Sequence, residues 1–260
     1  MIGRRLARAA SPVVNFIYPP RCPLCGEGIA RGPGLCADCW AELEIPGEPS
    51  CSHCQIPLPE GEAGASCRVC IASPPAHAGI VAATMYNEAA RKLVLRFKHG
   101  GRIGLAALMG RLIAGRLVHA PTEAVLVPVP LHRVRLWMRG YNQAALLAHR
   151  LGEITGHAVL VDALRRTRAT PKLGGLGRAA RAKALRGSII ANPGRVTEIR
   201  GRHVILVDDV LTSGATSAAC TRVLLEAGAS SVRIACFARV PEGTRAKNET
   251  PGTITIPGAA

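Results

Sequence analysis

Two groups of residues in this 260-residue chain have the types and spacing to do chemistry. The first is HVILVDDVLTSGAT, residues 203–216, in which an apolar run meets Asp208 and Asp209 and then a turn of Thr212, Ser213, Gly214, Ala215 and Thr216. A helix that starts at this turn offers free backbone N–H groups at its positive end. With hydroxyls and a small glycine beside them, these suit a phosphate monoester. Carboxylates next to a phosphate oppose it unless they accept hydrogen bonds from hydroxyls on the same ligand. A ribose 5-phosphate meets both demands, with its phosphate on residues 212–216 and its 2′- and 3′-hydroxyls on Asp208 and Asp209. The plainer alternative is that Thr212 or Ser213 caps the helix and the acids are solvated. A cap needs one such residue, not two acids, a glycine and three hydroxyls.

The second group is cysteine. Eight of the ten cysteines form four CxxC units: Cys22 and Cys25, Cys36 and Cys39, Cys51 and Cys54, Cys67 and Cys70. A CxxC turn brings two thiolates to one side of a knuckle, and two knuckles supply the four sulfurs of a tetrahedral, structural Zn²⁺. Two zinc ions are therefore expected, held either by sequential or by interleaved pairs. His53 lies inside the third unit as a spare ligand. A disulfide framework lacks a secretion signal to go with it. A redox motif needs one CxxC rather than four, and no CxxC here is followed by the His of a haem attachment site. Cys220 and Cys236 stand in apolar segments and read as core.

Bulk properties frame these motifs. Hydrophobic residues make up 48% of the chain, enough for a real core, and 33 Lys and Arg against 17 Asp and Glu give a net charge of +16. That excess favours polyanionic partners. Pro12 and Asn15 interrupt the segment after Arg4, Arg5 and Arg8, so no secretory signal is read. Arg111 and Arg116 cut the apolar run 103–118 short of a membrane span of about 20 residues. A cytoplasmic location follows as the default.

Four regions are expected: an N-terminal helical segment (1–19), a zinc-binding module (20–75), an α/β domain (76–240) and a disordered tail (241–260). Within the third, strands are read at 79–86, 124–130, 202–210 and 230–240, with helices at 87–99, 103–119, 144–155 and 215–228. A basic loop spans 131–143, a short apolar run spans 159–164, and an arginine-rich stretch without acid spans 163–197. Strands alternating with helices imply a mostly parallel sheet, whose ligands bind beyond the carboxyl ends of its strands. Asp208 and Asp209 are placed at such an end. No repeat is read beyond the CxxC units. Gly175-x-Gly177-x-x-Ala180 fits a loose dinucleotide pattern but follows no strand.

The stretch VILVDDVLTSGAT resembles the phosphoribosyl-pyrophosphate (PRPP) motif of type I phosphoribosyltransferases. Together with the CxxC array, RFKHGG (96–101) and VPVPLHRVRLWMRGYNQAALLA (127–148), the chain is similar to the ComF family. The resemblance implies a type I phosphoribosyltransferase fold behind a small N-terminal double zinc ribbon. It implies ribose binding by Asp208 and Asp209, and 5-phosphate binding by Thr212, Ser213, Gly214, Ala215 and Thr216. The pyrophosphate loop would follow the strand that ends at Pro130, with Arg139 and Gln143 nearby, and Mg²⁺ would arrive on the pyrophosphate. The stretch 165–187 corresponds to a mobile loop carrying Arg178 and Arg181, which with Arg139 are the loop candidates for catalysis. There the chain departs from the usual pattern at Leu173, Ala180, Ala184 and Ile189.

Three functions fit. A ComF-type protein acting in DNA uptake would bind a phosphoribosyl ligand, single-stranded DNA and other competence proteins. A metabolic phosphoribosyltransferase would pass the phosphoribosyl group to a base or amine. A non-catalytic regulator would keep the pocket as a PRPP sensor.

Overall fold

The computed structural model describes residues 19–29, 34–60, 64–99, 101–117, 120–168 and 184–241. The expected N-terminal helical segment up to residue 18, the tail beyond residue 241, and Arg178 and Arg181 lie outside the described residues.

The N-terminal part is built twice on one plan. An antiparallel bridge, Arg21 to Gly28 and then Ser50 to Pro57, brackets the first CxxC of each half. The second CxxC of each half opens a five-residue helix, α1 (Ala37–Ala41) and α2 (Arg68–Ala72), with Cys36 and Cys67 at the N-caps. The repeat thus extends past the cysteines, beyond what their spacing alone indicates.

The larger part alternates strand and helix. β1 (Ile80–Met85) leads to α3 (Glu88–His99) and α4 (Leu105–Ala114), and β2 (Val125–Pro128) to α5 (Arg133–Arg139) and α6 (Gln143–Thr155). Then follow β3 (Ala158–Val159), β4 (Leu164–Arg166), β5 (Ile189–Ala191), a 3₁₀ turn (Pro193–Arg195) and α7 (Val196–Ile199). β6 (His203–Leu211), α8 (Ala215–Glu226) and β7 (Ser231–Arg239) complete the chain. Five strands form a parallel sheet in the order β1-β7-β6-β2-β3, while β4 and β5 pair antiparallel apart from it.

The continuous apolar runs have their expected cause, since the sheet is covered on both faces. Val204 and Leu206 face α8 and the second cysteine cluster, whereas Ile205 and Val207 face α3, α4 and α6. Cys220 and Cys236 are fully buried in the first of these cores.

β1 is an edge strand, yet all six of its residues are buried, because the N-terminal module covers it. Gln55 Oε1 accepts from Ala82 N at 2.7 Å and Glu44 O accepts from Met85 N at 2.7 Å. These bonds occupy edge donors that would otherwise be open to a second strand. Among the described residues no helix is long and apolar enough to cross a membrane.

Two sequence expectations are corrected, and one stretch left without elements acquires them. Residues 131–143 are not a loop throughout, since α5 occupies their middle. His132 Nδ1 accepts from Val134 N at its start, and Gly140, at φ 77°, takes the left-handed conformation that ends it. The helix expected at 103–119 covers only Leu105–Ala114. The arginine-rich stretch contains β4, β5 and the start of α7, which no apolar periodicity betrays at such short lengths.

Candidate functional site

Chain direction decides where a ligand can enter. β2 and β6 are neighbours, paired from Val125–Val204 to Pro128–Val207. Beyond them, β2 continues through α5 and α6 to β3 on one side, and β6 continues through α8 to β7 on the other. The two chains part at their carboxyl ends and open the crevice expected of a doubly wound sheet.

Asp208 and Asp209 stand at this crevice but not at the end of the strand. β6 runs on to Leu211, with Val210 and Leu211 opposite Ala238 and Arg239. The pleat directs neighbouring side chains to opposite faces. Asp209, 8% exposed, goes to the α3 face, where its Oδ2 lies 2.9 Å from Lys98 Nζ. That oxygen has no hydrogen bond, so the ammonium is its compensation, and Oδ1 accepts from Val210 N at 2.8 Å. Asp208 pairs with Cys236 and accepts the Asp209 N–H at 2.9 Å on Oδ1. Burial, then the charge of Asp209, pushes the Asp208 carboxyl up to about 7, while Lys98 pulls the other way.

Next comes the turn. Gly214 takes the left-handed conformation, φ 70°, and serves as N-cap of α8 without any side-chain cap. The plainer alternative therefore does not hold, because neither Thr212 nor Ser213 caps this helix. The opening N–H groups of a twelve-residue helix are left for an anion. Ser217 donates to Gly214 O at 3.1 Å. Behind the turn, the buried Arg239 donates from Nη1 to Thr212 O at 2.7 Å and to Leu211 O at 3.3 Å, and from Nε to Cys54 O at 3.4 Å. One side chain thus ties the turn to the second cysteine cluster. A cavity of about 290 Å³ separates them, lined among others by Cys54, Cys70, Ser213, Gly214 and Ser217.

The segment 139–143 forms the opposite wall. Arg139 Nη1 donates to Gln143 Oε1 at 3.2 Å. Tyr141 Oη donates to Phe97 O, and Asn142 caps α6 at Ala144 N while donating to Val129 O at 3.1 Å. These bonds lash α3 to the loop after β2. Burial first, and then Arg139 and Lys98, lower the affinity of His99 for a proton, so three basic groups share this wall. Arg166 of β4 faces the crevice from the other side: burial and the charge of Arg135 oppose its protonation, and Asp208 favours it.

The cysteines gather as two sets, Cys22, Cys25, Cys36 and Cys39, and Cys51, Cys54, Cys67 and Cys70, with all sulfurs of a set within 4.8 Å of one another. Sequential pairing is thereby selected over interleaved pairing, and His53 belongs to neither set. Tetrahedral Zn–S bonds of about 2.3 Å require S···S separations of about 3.8 Å. Cys25 to Cys36 is 3.5 Å and Cys54 to Cys67 is 3.7 Å. Within each set the thiols split: burial raises Cys22 and Cys51 but backbone N–H groups outweigh it and bring both down to about 6, whereas burial and neighbouring sulfurs raise Cys39, Cys54 and Cys70. Both sets fit a closed, structural zinc site.

Comparison with known proteins agrees with this construction. Family models match residues 13–71 as a double zinc ribbon domain and residues 139–256 as a phosphoribosyl transferase domain. The DNA utilization protein YhgH of Salmonella typhi is 31% identical over 225 residues, covering 80% of this chain and 97% of the relative. Competence protein F of Haemophilus influenzae is 29% identical, over 79% of this chain and 90% of the relative. This chain belongs to the ComF family. A third relative, the YhgH protein of Escherichia coli K12, is 29% identical over 85% of this chain and 97% of its own.

Within the ComF framework, sequence reading had marked Asp208, Asp209, residues 212–216, Arg139, Arg178 and Arg181; the two acids stand in β6, residues 212–216 lead from it into α8, Arg139 ends α5, and Arg178 and Arg181 lie outside the described residues. Sequence reading had not marked Lys98 or Arg239. Lys98 lies in RFKHGG, a stretch noted only as part of the resemblance. Arg239 ends an apolar strand that also carries Arg233, and nothing in the local pattern says which of the two turns inward.

Proposed function

We propose that this ComF-family protein binds PRPP or a related phosphoribosyl ligand in the crevice between β2 and β6, and that it acts in DNA uptake in contact with single-stranded DNA. The observation that carries the ligand is the uncapped start of α8 directly after two acids at the parting of two parallel strands. Residues 212–216 would take the 5-phosphate on backbone N–H groups and hydroxyls. Asp208 and Asp209 would accept the ribose hydroxyls, which for Asp209 requires its buried Oδ2 to part from Lys98. The pyrophosphate would extend toward the wall of Lys98 and Arg139, whose positive charge would neutralise it. Mg²⁺, bound on the pyrophosphate oxygens, would supply further neutralisation of a leaving group at C1.

The DNA reading is supported by the names of the relatives and by the net charge of +16. With 3% aromatic residues, contacts to a strand would be mostly to phosphates and therefore strongly salt-dependent. The cysteine clusters would act as structural zinc sites in a module ending near residue 75, and the protein would work in the cytoplasm.

Calorimetric titration of the zinc-loaded protein with PRPP, with and without Mg²⁺, tests the ligand. Binding should tighten with Mg²⁺ and vanish in the double variant D208N/D209N. A wild-type protein indifferent to both PRPP and ribose 5-phosphate would overturn the reading. Pyrophosphate release against a panel of bases and amines then separates a transferase from a sensor.

A further inference from the structure

α5 carries side chains that the crevice does not use. Its seven residues, RVRLWMR, have no buried member, and Trp137 is 86% and Met138 74% exposed. Val134 and Leu136 are exposed as well, so one short helix carries a contiguous apolar patch with an indole at its most exposed point, the kind of surface that marks an interaction site. Charge narrows the use. Arg133, Arg135 and Arg139 stand within about a turn of Trp137, and no Asp or Glu occurs between Glu123 and Glu153. The chain's other tryptophan, Trp40, is also partly exposed, but Asp38 and Glu42 flank it on α1, so a polyanion would be repelled there.

An aromatic face ringed by guanidinium groups, without acids, fits a polyanion that also presents flat apolar faces. Single-stranded nucleic acid does so. A duplex does not, because its bases are stacked inside, and an acidic protein surface has no comparable series of planar groups. Position strengthens the match. Arg139 at one end of α5 lies close enough to influence His99, and Arg135 influences Arg166 across the crevice. Tyr141, just beyond α5, is bonded to Phe97 O on α3. α5 therefore stands on the rim of the phosphoribosyl crevice, on a rigid mount.

We propose that α5 is the docking point for single-stranded DNA, with one base stacked on Trp137 and the neighbouring phosphates met by Arg133 and its basic neighbours. This rests on the single-strand reading above and adds its location. A strand held there would pass the mouth of the crevice.

The test uses the full zinc-loaded chain and a dT oligonucleotide. In a W40F background only Trp137 emits, and its fluorescence should be quenched by dT and not by a blunt duplex of equal length. Stacking of one base on an aromatic side chain is worth about 5- to 150-fold in affinity. W137A should lose that much, W137F should keep most of it, and the salt slope should be unchanged in both. R133Q should instead lower the logarithmic salt slope by about 0.7, the share of one phosphate contact on a single strand. Because Trp137 is exposed, zinc content and melting temperature of W137A should match the wild type. If the wild type binds dT while W137A binds equally well, or if no quenching occurs, the location is wrong and the single-strand reading stands. If the wild type binds no single strand at all, both fall.

Discussion

Replacing Lys98 with Met tests the electrostatics on which the candidate site depends. The ammonium lies 2.9 Å from Asp209 Oδ2, with side-chain exposures of 22% and 11%. At an effective dielectric of about 20 the gross attraction is about 6 kcal/mol. Removing one partner of a buried pair typically costs about 3 to 5 kcal/mol, because the other charge is stranded. Residual solvent access on the lysine side lowers the expected loss to about 2 to 4 kcal/mol at pH 8. In a chain of this size that amounts to about 5 to 15 °C in melting temperature. Asp209 Oδ2 has no hydrogen bond to fall back on, so little of the loss should be recovered by rearrangement. Adding D209N removes the stranded charge, so K98M/D209N should be more stable than K98M despite carrying one more change. Thermal melts of the wild type, both single variants and the double variant complete a cycle. A double variant as unstable as the sum of its parts would refute the pairing.

Two further predictions concern pH and zinc. Asp208 has a native value of about 7 against 3.8 for the free carboxyl. The unfolded chain thus releases this proton near pH 4 while the folded chain holds it, and stability falls as pH rises from about 4 through 7. D208N should gain on the wild type in melting temperature between pH 5 and pH 8, and an equal difference at both would contradict the raised value. Chelating zinc should weaken ribose 5-phosphate binding about tenfold before the α/β domain melts, and R239M should weaken it similarly while retaining its zinc. Unchanged affinity in R239M, measured by calorimetry, would remove Arg239 from the site.

How much of this was legible in the sequence differs by scale. β6, α8 and β7 were readable because each is long and its apolar run continuous, and the zinc sites because CxxC spacing is itself geometry. α5 was not, since RVRLWMR buries nothing and so has no periodic face to read; its cap and its terminal Gly140 fix it instead. The direction of each acid was also hidden. Adjacent letters suggested that Asp208 and Asp209 act together at a strand tip, whereas continued pairing to Leu211 keeps the pleat and sends them to different faces. Which faces those are depends on Lys98, about 110 residues away in sequence, and on the second core, neither of which local pattern can supply.

The zinc module is usually thought of as an appendage when it is read from sequence, but its contacts argue that it is part of the sheet. Without it β1 would present the donors of Ala82 and Met85 on an open apolar edge. The same module supplies Cys54 O to Arg239, and Arg239 has no carboxylate among its bonded partners, only three carbonyls. A buried guanidinium compensated by carbonyls alone keeps much of its positive field, and here that field lies behind the turn proposed to hold a phosphate. An ion pair would have cancelled it. Arg239 can therefore hold the turn in shape and favour an anion in front of it at once, provided that the second zinc keeps the Cys54 carbonyl in place. The two modules are then coupled through Arg239, and a zinc held by the second cysteine set would steady the turn without touching what binds there.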